Sequence, residues 1–264
     1  MKKLNLKQIN KFWTKQALRH GQSPLASWSD QPAIDMEIRQ LIKYLENGDK
    51  VLDIGCGNGY STFQLAAHKR INIKGIDNIP EMIANANLRL KNSKIRLAGK
   101  VNFKVGDITD LDESTASYDK VITTRVLINL GNWNNQLAGL KECCRVLKKG
   151  GVLLLSEATL QGWRQLNKFR KEWGLTEIAM PPFNSYLDQD KVVKAVRSYL
   201  KLSTIVNFAS TYYIGTRVLK PLLIKALKSN IDAADPGMEW NRWFAQLPSG
   251  GDYGTQKLFI FKKI

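Results

Sequence analysis

Short apolar runs alternate with helical patterns through the middle of this chain, and that alternation most restricts what it can fold into. The runs lie at 51–54 (VLDI), 72–76 (NIKGI), 101–105 (VNFKV), 120–123 (KVIT) and 152–155 (VLLL). Helical periodicity fills most of the gaps, notably at 60–69, 80–96 and 134–147. Strands separated by helices pair in parallel, and the helices then cover both faces of the sheet. The expectation is an α/β, Rossmann-like fold. Lys148-Lys149-Gly150-Gly151 reads as a helix end and turn before the fifth strand.

The flanks differ from this core. Residues 4–19 predict an amphipathic helix with Leu6, Ile9, Trp13 and Ala17 on one side. Lys7, Lys11, Lys15 and Arg19 stand four apart and line another face. Residues 20–31 read as a loop, and a second helix runs from Pro32 to Glu46. Beyond Glu157 the alternation fails. Residues 161–187 read as a helix and then a loop broken at Pro181-Pro182, and 188–200 as a helix. Residues 202–208 read as a strand, 211–228 as a helix interrupted at Pro221, 229–253 as loop, and 255–262 as a final strand. The chain divides on this reading into a helical cap (1–46), a core (47–160), and inserts that form a lid and supply the last two strands (161–264).

Forty Lys and Arg against 23 Asp and Glu give a net charge of +17. The excess is spread along the chain, and such a field favours anionic partners: a small anion, an anionic membrane surface or a nucleic acid. Three cysteines, two of them adjacent, exclude a disulfide scaffold. With only His20 and His68 beside them, no zinc site is expected, and no other metal either. The basic Lys2-Lys3 start has no apolar stretch after it, and no run has the roughly 18 apolar residues of a membrane span. The expected location is cytoplasmic, with peripheral membrane attachment left open.

The most informative segment is Val51–Thr62, VLDIGCGNGYST. A strand ending near Asp53 runs into Gly55, Cys56, Gly57 and Gly59, and then a helix. Glycines let the backbone turn tightly and approach a ligand, and the helix start offers free N–H groups. A dinucleotide fingerprint would need glycine where Tyr60 stands. Asp53 suits an ammonium group and would repel a pyrophosphate. Asp77 closes the second strand, where a carboxylate can accept both ribose hydroxyls. Asp107 follows the third strand and can accept from an adenine amino group, with the Ile108 N–H facing a ring nitrogen.

Together D-x-G-x-G-x-G, Asp77, Gly106-Asp107, the segment 119–124 (DKVITT) and the segment 145–151 (RVLKKGG) resemble class I S-adenosylmethionine (SAM)-dependent methyltransferases over about residues 48–160. The resemblance implies a seven-stranded sheet, SAM as cofactor and S-adenosylhomocysteine (SAH) as product. It places Asp53, Gly55, Cys56 and Gly57 at the methionine end, Asp77 and Asn78 at the ribose, and Gly106, Asp107 and Ile108 at the adenine. Thr124 would lie beside the sulfonium. Trp28, in the loop ahead of the core, would cover the cofactor.

The acceptor is less legible. The segment T-T-R-V-L-I-N-L lacks the N/D-P-P-Y/F segment seen in methyltransferases of DNA bases or glutamine, and no cysteine follows strand four for cytosine C5 chemistry. Asn129 stands where many small-molecule methyltransferases carry histidine, and an amide cannot act as a base. The remaining catalytic candidates are His20, Arg125, Glu157 and Tyr186, with Asp188 as either an acceptor contact or a helix cap. Arg125 can bind an acidic acceptor or pair with a structural acid. The C-terminal half resembles bacterial methyltransferases of uncharacterised acceptor, associated by analogy with sugar metabolism. That group carries histidine at the position of Phe183, so a polar contact is missing here. The expectation is methyl transfer to O or N of a polar, anionic small molecule or sugar-type metabolite. A lipid at a membrane surface and RNA are the alternatives.

Overall fold

The computed structural model describes residues 3–264. The chain opens with helix α1 (Leu6–His20), whose start is fixed by reciprocal hydrogen bonds between Asn5 and Gln8. Helix α2 (Gln31–Ile42) follows. The core then alternates: β1 (Lys50–Ile54), α3 (Tyr60–His68), β2 (Asn72–Asp77), α4 (Pro80–Asn92), β3 (Lys100–Val105), β4 (Tyr118–Thr124), α5 (Trp133–Val146), β5 (Leu147–Ala158). The C-terminal part adds α6 (Leu160–Glu172), α7 (Gln189–Val196), β6 (Leu200–Val206), α8 (Ser210–Ile214), α9 (Lys220–Ala226), α10 (Glu239–Phe244) and β7 (Gln256–Lys263).

The seven strands form one sheet in the order β3-β2-β1-β4-β5-β7-β6. β7 runs antiparallel to both neighbours and the other pairings are parallel. Period-two patterning divides the core between the two faces. Leu52, Ile54, Leu153, Leu155, Phe259 and Phe261 pack against α5 and α7. Val51, Leu154, Leu258 and Ile260 face the opposite way, toward α2, α3, α6 and α8. Chain direction across the sheet reverses between β1 and β4, which opens a crevice at the carboxyl ends of these strands. A smaller cluster of Ala17, Ala26, Ile79 and Met82 seats α1 on α4 above that crevice.

Three local expectations change. Leu147 is fully buried and already pairs with Tyr118, so β5 begins before the lysines. Pairing then jumps to Lys120 with Val152, and Lys148–Gly151 are accommodated as an irregularity within the strand rather than a turn before it. Lys263 donates to the carbonyls of Cys144 and Leu147 at the end of α5. Second, Pro221 does not break its helix. A π-helical turn, Gly215–Leu219, joins α8 to α9. Proline removes the N–H that would reach the Arg217 carbonyl, and the Arg170 guanidinium donates to that carbonyl instead. Third, α10 lies inside the stretch read as loop. Its six residues are too few to show a period, and tertiary contact holds it: Trp240 Nε1 donates to the Gly215 carbonyl at 2.9 Å.

Candidate active site

A cavity of about 470 Å³ occupies the crevice. The glycine loop between β1 and α3 forms its floor. Gly55 has φ +68°, and a Cβ there would stand 2.2 Å from a Val126 methyl, so only glycine lets the two loops meet. Gly59 has φ +73°, and a Cβ there would stand 2.6 Å from the Phe103 ring. Asp77 fastens the loop from the neighbouring strand. One of its oxygens accepts from Gly57 N and the other from Ile79 N, both at 2.9 Å. Each oxygen keeps a lone pair for a further donor.

Burial dominates the electrostatics. It pushes the Asp53 carboxyl up to about 7, against a 2.5 Å hydrogen bond from Thr62 Oγ1, and nearby Asp77 adds to the rise. Burial likewise pushes Asp77 up to about 6 against its two backbone donors. Desolvated carboxylates are groups that a cationic or multiply hydroxylated ligand would satisfy. Asp107 uses one oxygen for Thr109 N and Thr109 Oγ1, at 2.8 and 2.7 Å. Its other oxygen has no hydrogen bond to another described residue, and Asp107 lines the cavity beside Gly106 and Ile108. Asn78 contacts Asn10 of α1 at 3.4 Å.

The cofactor candidates Trp28, Asp53, Gly55, Cys56, Gly57 and Asp77 all line this one cavity. So do Asn78, Gly106, Asp107, Ile108 and Thr124. Burial holds the Cys56 thiol well above its usual range, so it is a protonated packing group. Cys143 and Cys144 are buried core residues on α5, raised for the same reason.

The four catalytic candidates separate. His20 lines the cavity. Asn58 Nδ2 donates to the carbonyls of Gly21 and Ser23, at 2.8 and 2.7 Å, which ties the chain just after His20 to the glycine loop. Tyr186 also lines the cavity, and burial pushes its phenol above the usual range, so it stays protonated. Arg125 lines the cavity, but its guanidinium pairs with buried Glu37 and lies 5.0 Å over the Trp28 ring. Of the two readings of Arg125, the structural ion pair is the one formed. Glu37 also accepts from Ser156 Oγ and, at 3.0 Å, from Gln256 Nε2.

Glu157 is the correction. It is fully buried and absent from the cavity lining. Its carboxylate accepts from the backbone of Val126, Leu127 and Ile128 at 2.8, 2.9 and 3.3 Å. Burial pushes it up to about 7 against those donors. It shapes the loop after β4 and has no route to an acceptor. Asp188 caps α7, accepting from Lys191 N at 3.1 Å. Asp30, in the loop with Trp28, is buried between Arg217 and Tyr212 and holds the cap to α8 and the π-helical turn.

Sequence reasoning missed the rest of the lining. α1 presents Leu6, Ile9, Asn10, Trp13, Gln16 and His20 at helical spacing. Lys7, Lys11, Lys15 and Arg19 are exposed on its outer side. Phe183 stacks on Phe12 at 4.4 Å, with Trp13 edge-on to both. The amphipathic period of α1 was readable, but its partner segment at 181–186 is irregular and gives no period.

Residues 45–209 match the family model described as a methyltransferase domain. An uncharacterized methyltransferase of Bacillus subtilis, YdaC, is 34% identical over 108 residues, which is 40% of this chain and 55% of that protein. A ubiquinone/menaquinone biosynthesis C-methyltransferase, UbiE, of Geotalea daltonii is 31% identical over 118 residues, 44% of this chain and 48% of that protein. The chain spans about half the length of these curated relatives. Among solved structures, magnesium protoporphyrin IX methyltransferase of Synechocystis with bound SAH superposes with a TM-score of 0.58 at 15% identity, covering 89% of this chain and 86% of that one. The chain belongs to the methyltransferase-domain family, with the fold of the SAM-dependent methyltransferase structures on which it superposes.

Proposed function

We propose that this protein transfers the methyl group of SAM to O or N of a small-molecule acceptor held in the same cavity. The observation that carries the reading is one cavity lined both by the glycine loop with its three acids and by the inner face of α1 with segment 181–186. We also propose that residues 1–46 act as its cap and the segments after 160 as its lid.

When bound, SAM supplies a methyl group on a positively charged sulfur, and the C–S bonding pair returns to that sulfur as the acceptor lone pair takes the carbon. The protein's own work is positioning. Asp53 fits an ammonium group, Asp77 two hydroxyls and Asp107 an amino donor. An acceptor hydroxyl or amine loses its proton to solvent, since the cavity places no free carboxylate beside Asn129. Among the described residues no group of three His, Cys, Asp or Glu side chains could hold a metal ion.

The lining favours a neutral acceptor over an anionic one, because among the described residues it holds no Lys, and its one Arg, Arg125, is paired. The macromolecular alternatives find less support. Lys91, Lys94, Arg96, Lys100 and Lys104 form a basic stretch that would suit RNA phosphates, but the first four precede or open β3, at its amino end and away from the crevice, and Lys104 pairs with Asp112. On the 211–228 helix, Arg217 and Lys220 turn inward, to Asp30 and to Asn241. Leu219, Leu223 and Leu227 are exposed, but only Lys225 and Lys228 accompany them.

Methyl-labelled SAM, incubated with the protein and a deproteinised cell extract, should label a low-mass product identifiable by mass. Label confined to lipid or RNA in whole-cell fractions would overturn the small-molecule reading.

A further inference from the structure

We infer that the acceptor is a flat, neutral, ring-bearing molecule with a hydroxyl or amine donor, and that Asn129 and Asn184 receive that donor. The inference rests on the methyltransferase reading and specifies its acceptor.

Two observations meet in one place. The first is a pair of enclosed carbonyl oxygens. Among the described residues, Asn129 Oδ1 and Asn184 Oδ1 are buried and find no hydrogen-bond partner, and both residues line the cavity. The amide orientation at Asn129 is set from outside, since its Nδ2 donates to the Arg125 carbonyl at 2.6 Å. Asn184 is only 9% exposed. At Asn129 the nitrogen is engaged and the oxygen is left over, and at Asn184 the oxygen is likewise without a partner. A buried oxygen without a donor loses about 1–3 kcal/mol, which a ligand O–H or N–H would recover. Backbone pairing holds the two residues near one another. Ser185 N donates to the Ile128 carbonyl at 2.6 Å, and Ser185 Oγ to the Gly131 carbonyl at 3.0 Å.

The second observation is the surrounding surface. Phe12, Trp13 and Phe183 form one aromatic cluster on the same lining, and Tyr186 and Tyr213 contribute further rings. Such walls favour a planar apolar body, and they offer a carboxylate or phosphate no unpaired Lys or Arg. Asn129 leaves its carbonyl oxygen as an acceptor and supplies no base. That suits a group that ionises without one, a phenol with a pKa of about 10, or an amine whose lone pair is already free, more than an aliphatic alcohol. In the transfer, the acceptor oxygen or nitrogen forms the new bond to the methyl carbon, the C–S pair goes to sulfur, and the acceptor proton leaves to water.

The probes are 2,3-dihydroxynaphthalene, unsubstituted naphthalene and glucuronate, titrated into the full chain saturated with SAH. SAH binding itself is measured first. The diol should bind saturably and better than naphthalene, and glucuronate should not bind. Asn184→Leu and Asn129→Leu should each weaken the diol about tenfold, the worth of one good hydrogen bond, while leaving naphthalene and SAH unchanged. Phe183→Ala should weaken diol and naphthalene together. With SAM in place of SAH, the diol should yield a methylated product detectable by mass. If SAH binds but the diol gains nothing over naphthalene, or glucuronate binds instead, the inference fails and the methyltransferase reading survives. If SAH does not bind, both fail.

Discussion

Gly55 combines a positive φ with a neighbouring loop at van der Waals distance, so its substitution is a sharp test at the residue scale. Gly55→Ala adds about 1–2 kcal/mol of left-handed strain and pushes Val126 away. It should lower SAH affinity at least about tenfold by calorimetry. Asp53 and Asp77, pushed up to about 7 and about 6, make the ligand-free fold and the cofactor respond to pH in opposite directions. A buried carboxyl whose folded value is raised favours the protonated form. These two groups therefore add stability as pH falls toward the unfolded value of about 4, and withdraw it as pH rises through 6 and 7. Cofactor binding uses their charged forms, so SAH affinity should weaken by up to about tenfold per pH unit below about 7, and by up to about a hundredfold per unit below about 6 where both groups are protonated. Calorimetry between about pH 8 and pH 5 checks this, and a flat profile would contradict it. These residues were legible because a glycine loop and acids at strand ends are local, ordered signals. Asn129 and Asn184 were not, because an unmet carbonyl oxygen has no sequence signature.

At the level of elements, the loop after β4 is shaped from behind. Glu157 on β5 binds three of its amides, and Glu37 on α2 pairs with Arg125, whose φ of +58° is unusual for a non-glycine residue. Arg125→Ala leaves Glu37 buried and unpaired, which should cost about 3–5 kcal/mol in denaturant unfolding. The double change Arg125→Met with Glu37→Gln should recover much of that loss, whereas a direct acceptor contact would leave the double variant as impaired in turnover as the single one. Glu157→Ala strands three buried N–H groups and should destabilise by about 3 kcal/mol or more; Glu157→Gln, which keeps one acceptor oxygen, should lose less. A strand-end carboxylate reads as catalytic in sequence because the register that buries it against a loop is set by distant pairing. The continuous helix through Pro221 was hidden for a related reason: the donor that satisfies the Arg217 carbonyl comes from α6, 47 residues away.

Across the whole molecule, the alternating core was readable from periodicity, apart from the early start of β5, while the contact between α1 and segment 181–186 was not. That contact is made by Phe12 and Trp13 on α1 with Phe183 on the other segment, and it leaves no pattern in either. The charge of +17 lies on surfaces such as the outer side of α1, outside the cavity. Salt should therefore act on the fold more than on the site. Melting temperature should rise between about 20 mM and about 200 mM salt as self-repulsion is screened, with little change in acceptor KM. A KM that climbs steeply with salt would instead indicate an anionic acceptor steered by the field. The central claim is that the glycine loop and its acids hold SAM. The most direct measurement is calorimetric titration of SAH into the full chain and into Asp77→Ala, which removes the carboxylate while leaving the strand. One site per chain in the parent, with a loss of about tenfold or more in the variant, is the expected result. No saturable binding in the parent, or equal affinity in a folded Asp77→Ala protein, would contradict it.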